Sequence, residues 1–113
     1  MTAGKAERLS ASLAALADRN RRAVIHALLE RPRRAGELAR ALDLTPPALS
    51  RHLRILRRAG LVTEEDDEDD ARARIYRVRE PGFKPLREWL DDVDAYWSAQ
   101  LDAFKAHAES KGR

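Results

Sequence analysis

The seventeen residues from Leu44 to Gly60 (LTPPALSRHLRILRRAG) constrain this chain more than any other stretch. Thr45 can accept a hydrogen bond from a first helical turn. Pro46 suits the first helical position because its missing N–H would be unpaired there, and Gly60 suits the left-handed residue past the end. The spacing predicts a helix from Pro46 to Ala59. Leu49, Leu53 and Leu56 form its buried stripe, while Pro47, Ser50, Arg51, Arg54, Arg57 and Arg58 fall on the other faces. A shorter helix, Gly36 to Leu42, precedes it through Asp43-Leu44-Thr45, and Asp43 tolerates the left-handed corner such a turn often needs. Together 36–59 read as a helix-turn-helix with an arginine-rich outer face.

The flanks supply the rest of a small fold. Leu9, Leu13 and Leu16 recur at helical spacing and predict an amphipathic helix over 7–17. After Asp18-Arg19-Asn20, a second helix over 21–30 turns Val24, Ile25, Leu28 and Leu29 inward, and Pro32 ends it. The helix at Gly36 lacks a good cap, since Arg34 and Ala35 stand where Ser or Thr is preferred. Leu61-Val62-Thr63 and Ala73–Arg79 read as two strands of a hairpin, a wing over 61–79 closed by Pro81-Gly82. Its loop is Glu64–Asp70, seven consecutive carboxylates expected to repel one another and stay in water. A long last helix spans 83–108, with Pro85 in its first turn. The expected fold is mainly α with a small β-hairpin, a winged helix-turn-helix over 1–113 as one domain.

Charge narrows the function. The net charge is only +3, but residues 19–58 hold eleven arginines against three carboxylates, a net +8 that suits a polyanion. The competing explanation is that these arginines coat solvated faces. With no cysteine, disulfides, thiolate zinc sites and cysteine nucleophiles are excluded. His26 and His107, the latter near Glu109, lack the convergent partners that zinc needs, so no metal or other cofactor is expected. No Gly-rich phosphate loop, GxSxG or HExxH occurs, and the clustered carboxylates lack an EF-hand spacing, so an enzyme is not expected. No run is apolar enough to span a bilayer, and Met1–Arg8 lacks the apolar core of a signal peptide. A cytoplasmic protein is the expectation, with no membrane partner.

The last helix carries more apolar surface than a small domain covers. Leu86, Leu90, Val93, Trp97, Leu101 and Phe104 form one stripe, with Trp89 and Tyr96 beside it. Leu9, Leu13 and Leu16 on the first helix, with Trp89, Val93, Tyr96, Trp97, Leu101 and Phe104 on the last, are expected to form a two-fold dimer interface. The other reading folds Trp97 and Phe104 back onto their own domain.

Four stretches together resemble the ArsR-type winged-helix transcriptional repressors. They are Leu16–Ile25 (LADRNRRAVI), Gly36–Ala39, Ser50–Val62 and Ile75–Val78, and the resemblance covers Leu9 to Phe104. Trp89-Leu90 and Tyr96-Trp97 are further similar to a non-metal subgroup. The resemblance implies a homodimer that represses transcription, including its own, by binding double-stranded DNA at an imperfect palindrome. It places Ser50, Arg51 and Arg54 at bases or phosphates, with Thr45 and Pro47 near the helix start. His52 is matched by histidine in the family, read here as packed or phosphate-bonded in preference to base-reading. Arg57 lies on the same helix, and Arg72, Arg74 and Arg77 are the wing residues expected near DNA.

The chain departs from the family in three ways. Pro46-Pro47 replace residues that are commonly polar, the wing tip is acidic instead of basic, and no metal-sensing set is present, which leaves any small-molecule inducer unnamed. The acidic tip is expected to lower non-specific DNA affinity, and neutralising Asp66, Asp67, Asp69 and Asp70 to raise it. A docking patch for a basic partner is the sharper reading of the tip. An alternative function follows from that patch, a winged-helix interaction module that has lost DNA binding and uses its acidic loop. Architectural DNA binding without sequence choice is the third possibility.

Overall fold

The computed structural model describes residues 4–111; Met1–Ala3, the start of the stretch read as lacking a signal peptide, and the last two residues lie outside it. Five helices, α1 (Lys5–Leu16), α2 (Arg19–Glu30), α3 (Ala35–Leu42), α4 (Pro46–Arg58) and α5 (Lys84–Lys111), accompany a small sheet of β1 (Arg33–Arg34), β2 (Val62–Asp66) and β3 (Arg74–Val78), which packs on α2, α3 and α4. Strand order is β1-β3-β2, antiparallel throughout.

The turn that joins α3 to α4 is built from local chemistry. Asp43 takes φ 53° and ψ 49°, and Leu44 N–H donates to Ala39 C=O at 2.9 Å, a Schellman ending made with Asp in the glycine position. Thr45 Oγ1 then accepts from Ala48 N–H at 3.3 Å and starts α4. At the far end Gly60, at φ 78°, lets Leu61 N–H donate back to Leu56 C=O at 3.0 Å. A methyl group on Gly82 would overlap the Gly60 carbonyl, so the 3-10 turn Glu80–Phe83 seats directly on the end of α4.

The core sits beneath α4. Leu49, Leu53 and Leu56 pack with Val24 and Leu28 of α2, Leu38 of α3, and Leu61 and Val62 at the start of the wing. Such burial is worth roughly 1.5–3 kcal/mol per large side chain. It fixes the inner face of α4 and therefore the direction of its outer one.

Several expectations are corrected. The hairpin is a three-stranded sheet, because Arg33 and Arg34 pair with Tyr76 and Ile75. Pro81-Gly82 lie in the 3-10 turn and do not simply close a strand. The carboxylate run is not a loop through its whole length: Glu64, Glu65 and Asp66 belong to β2, and Asp67 is buried. Leu29 faces outward at 62% exposure, since Val24, Ile25 and Leu28 already fill the inner arc of α2. On α1 the small residues Ser12 and Ala15 are buried while Leu13 is 44% exposed, so small side chains let this helix approach its neighbours.

Candidate nucleic-acid interface

Helix α4 offers its outer face to solvent. Thr45, Pro47, Ser50, Arg51, Arg54, Arg57 and Arg58 are exposed, and His52 is half-buried. Among the described residues, Arg51, Arg54 and Arg58 make no ion pair, so their guanidinium forks are open to an incoming acceptor. Pro46 and Pro47 remove two N–H groups from the first turn and Thr45 occupies the Ala48 N–H. The amide donors that usually hold an anion at a helix start are therefore scarce here, and recognition falls to side chains.

His52 is positioned from α2. Arg21 Nη1 lies 3.4 Å from His52 Nδ1, and a guanidinium can only donate, so Nδ1 accepts and the Nε2–H is left to donate elsewhere. Arg21 Nε also donates to Ala15 C=O at 2.6 Å, and Arg22 Nη1 to Leu16 C=O at 2.8 Å, tying the end of α1 to α2. Asp18 caps α2 through the N–H groups of Asn20 and Arg21. The Arg21 N–H bond is the main reason that its carboxyl sits below the ordinary range. Much of the +8 counted over 19–58 is thus structural: Arg33 donates to Ala27 C=O and Glu30, and Arg31 pairs with Glu37 at 3.0 Å.

Between α4 and β2 runs a groove of about 530 Å³ whose walls include Arg54, Arg57, Arg58 and Arg79, with Glu64 the carboxylate among them. Arg79, absent from the sequence-derived site, reaches it because its Nη1 donates to Gly60 C=O at 3.3 Å. The signal that could have placed it is its position one residue past β3, facing the turn that Gly60 marks.

The wing arginines are arranged differently. Arg57 Nη1 lies 2.7 Å from Glu64, Arg77 Nε donates to Glu65 at 3.2 Å, and Arg74 pairs with Asp66 and, at 3.7 Å, with Glu64. Tyr76, opposite Glu64, has its phenol pushed up first by burial and then by that carboxylate. Arg72 is exposed in the turn after Asp70, which accepts its backbone N–H at 3.0 Å. The turn is anchored at Asp67, which accepts from Asp69 N–H at 2.9 Å and from Arg34 Nε at 2.7 Å. These two bonds, the first the stronger cause, hold the Asp67 carboxyl below its usual range.

Helix α5 lies apart from this face. Lys5 Nζ meets Glu88 at 2.5 Å and ties α1 to its first turns, but every residue from Asp94 to Lys111 is exposed. Trp97 stands at 59% exposure, Leu101 at 66% and Phe104 at 73%, so neither aromatic folds back on its own domain. Trp89, Leu13 and Tyr96 are also exposed, whereas Val93 and Leu9 are half-buried and Leu16 packs on the core. Among the described residues no cluster of metal-ligating side chains occurs, and no helix is long and apolar enough to cross a membrane.

A helix-turn-helix with an open arginine face, followed by a β-wing, is the architecture of a DNA-binding regulator. Comparison with known proteins makes that specific. Residues 18–64 match the arsR family of bacterial regulatory proteins. Over 98 residues the chain is 37% identical to the HTH-type transcriptional regulator Rv2034 of Mycobacterium tuberculosis, covering 87% of this chain and 86% of that one. An ArsR-like transcriptional regulator from Rhodococcus sp. RHA1 has a similar structure, with TM-score 0.74 and 27% identity over 91% of this chain and 94% of the other. HlyU from Vibrio cholerae follows with TM-score 0.64 and 29% identity, over 81% and 97%. The chain belongs to the ArsR family of DNA-binding transcriptional regulators, and its relatives are regulators, not enzymes.

Proposed function

We propose that this regulator is a homodimeric repressor, acting on its own promoter, that places one α4 helix in each of two successive major grooves of an imperfect palindrome. The observation that carries this reading is the pairing of an unpartnered polar face on α4, led by Ser50, Arg51 and Arg54, with an unpartnered aromatic face on α5. Arginine reads guanine O6 and N7 through two parallel hydrogen bonds, and residues early in a recognition helix are those that reach base edges. Thr45 and Pro47 lie at the mouth of the groove, where Pro47 can touch a thymine methyl. His52 would donate from Nε2 to a phosphate, and Arg57, Arg72, Arg74 and Arg77 would lie beside the flanking backbone. Residues 4–111 act as one unit in this reading, with α1 and α5 joining two copies through Leu9, Leu13, Leu16, Trp89, Val93, Tyr96, Trp97, Leu101 and Phe104.

The test is a titration against a labelled fragment of the gene's own upstream region and against scrambled DNA, at two salt concentrations. Salt-sensitive binding to the first, at two chains per site and with at least roughly 10³-fold discrimination, is the expected result. Equal binding to both fragments would show an architectural role instead. No binding to either would leave only a protein-interaction role.

A further inference from the structure

The arginines near the proposed DNA face exist in two electrostatic states, and the register of the wing explains why. Asp66 stands directly opposite Arg74, and Glu65 lies diagonal to Arg77, so β2 presents its carboxylates to β3 at contact distance. Glu64, on the same face as Asp66, points toward the end of α4 and meets Arg57 at 2.7 Å. Each of these three guanidinium groups already holds a carboxylate, while Arg51, Arg54 and Arg58 hold none among the described residues.

We propose that Glu64, Glu65 and Asp66 are specificity-determining residues whose carboxylates stand in for phosphate on Arg57, Arg74 and Arg77. The proposal rests on the DNA-binding role of α4 given above. Carboxylate and phosphate compete for the same guanidinium fork. An arginine already paired with a carboxylate brings no net positive charge to the DNA, so seating it on a phosphate displaces few of the cations condensed on the duplex and adds little of the counterion-release term that drives sequence-independent binding. A random duplex offers only that term and is bound in many registers, so it loses the full benefit of three cations. An operator is held in one register by base contacts from α4, and depends on the wing only where that register brings an arginine to a phosphate. Asp67 has a different part: buried on Arg34, it anchors the turn and stays out of this competition.

The experiment compares the whole chain with the triple variant Glu64→Gln, Glu65→Gln, Asp66→Asn and with Asp66→Asn alone. Anisotropy is read on an operator duplex and on a scrambled duplex, at about 0.05 M and about 0.2 M salt. The triple variant should steepen the salt slope on random DNA by roughly 0.9 per arginine released, and raise that affinity roughly fivefold per arginine near physiological salt. Operator affinity should rise less. Asp66 is exposed, so its single variant leaves the packing of the hairpin alone and should move both quantities the same way by a smaller step. Should the triple variant fail to fold, the single variant decides. If the wild-type chain binds its operator but neither variant changes slope or random-DNA affinity, the proposal is overturned and the DNA-binding reading stands. An operator gain as large as the random-DNA gain also overturns it. If the wild-type chain and both variants bind neither duplex, the DNA-binding reading fails and the proposal with it.

Discussion

Arg51 and Arg54 on the recognition helix, and Arg74 and Arg77 on the wing, are the same residue type in the same protein with opposite electrostatic histories. The first two project from a helix whose neighbours along that face are Pro47, Ser50 and Arg58, none of them acidic, and they stay open. The second two lie across a strand of carboxylates and are neutralised before any ligand arrives. Counting arginines therefore overstates the charge that DNA meets; what matters is which of them the fold leaves without a counter-charge. The molecule is strongly basic where bases would be read and nearly neutral where only phosphates would be gripped.

The largest expected effect comes from removing the second copy of this asymmetric face. Trp97→Ser with Phe104→Ser changes residues that touch little of their own domain, so the helical circular dichroism should persist while sedimentation shows a monomer. Operator affinity should then fall by at least about 10²-fold, the usual scale for losing a linked second site. A dimer that survives both substitutions would move the interface elsewhere.

Acid should loosen the wing before it disturbs the α4 stripe, because the first is held by charge and the second by apolar packing. Asp67 has a folded-state pKa below its unfolded one, so its contribution is present above about pH 4 and is lost as pH falls through the folded value. Asp18 has the same sign at the cap of α2. Thermal melts from neutral pH downward should show a falling midpoint for the wild type, and a shallower fall for Asp67→Asn, which has no charge to lose. Parallel curves would show that the Arg34–Asp67 anchor does not contribute.

A smaller effect is expected at the start of α4. Thr45→Ala removes the bond to Ala48 N–H and should cost about 1 kcal/mol in urea unfolding, the usual scale for a lost cap. With Pro46 and Pro47 in the first turn, Thr45 serves one of few donors there, so a cost well below that would mean the two prolines alone fix the helix start.

Helix ends were the most legible part of this chain, because Thr45, Asp43 and Gly60 act on neighbours within a few residues. The buried stripe of α4 was legible for the same reason, and the open arginines of the candidate site with it. What was not legible depends on residues far apart. β1 is two residues long, carries no period, and exists only because Tyr76 and Ile75 pair with Arg33 and Arg34. The carboxylate run reads as a solvated loop until β3 folds back and gives it cations. Arg21 and Arg33 read as part of a polyanion footprint, yet their side chains are only 15% and 13% exposed and are spent on backbone carbonyls.

The most direct measurement sets the two groups of arginines against each other on one operator. Arg51→Gln with Arg54→Gln removes two open guanidinium groups. At about 1–3 kcal/mol for each base-edge contact, it should weaken binding by at least roughly thirtyfold and flatten the preference over scrambled DNA. The neutral exchange of both wing pairs, Asp66→Asn with Arg74→Gln and Glu65→Gln with Arg77→Gln, should leave operator affinity within about threefold, since exposed pairs without net charge contribute little. A loss from the wing exchange equal to that from Arg51 and Arg54 would contradict the account, because it would mean that the paired arginines grip DNA as firmly as the open ones.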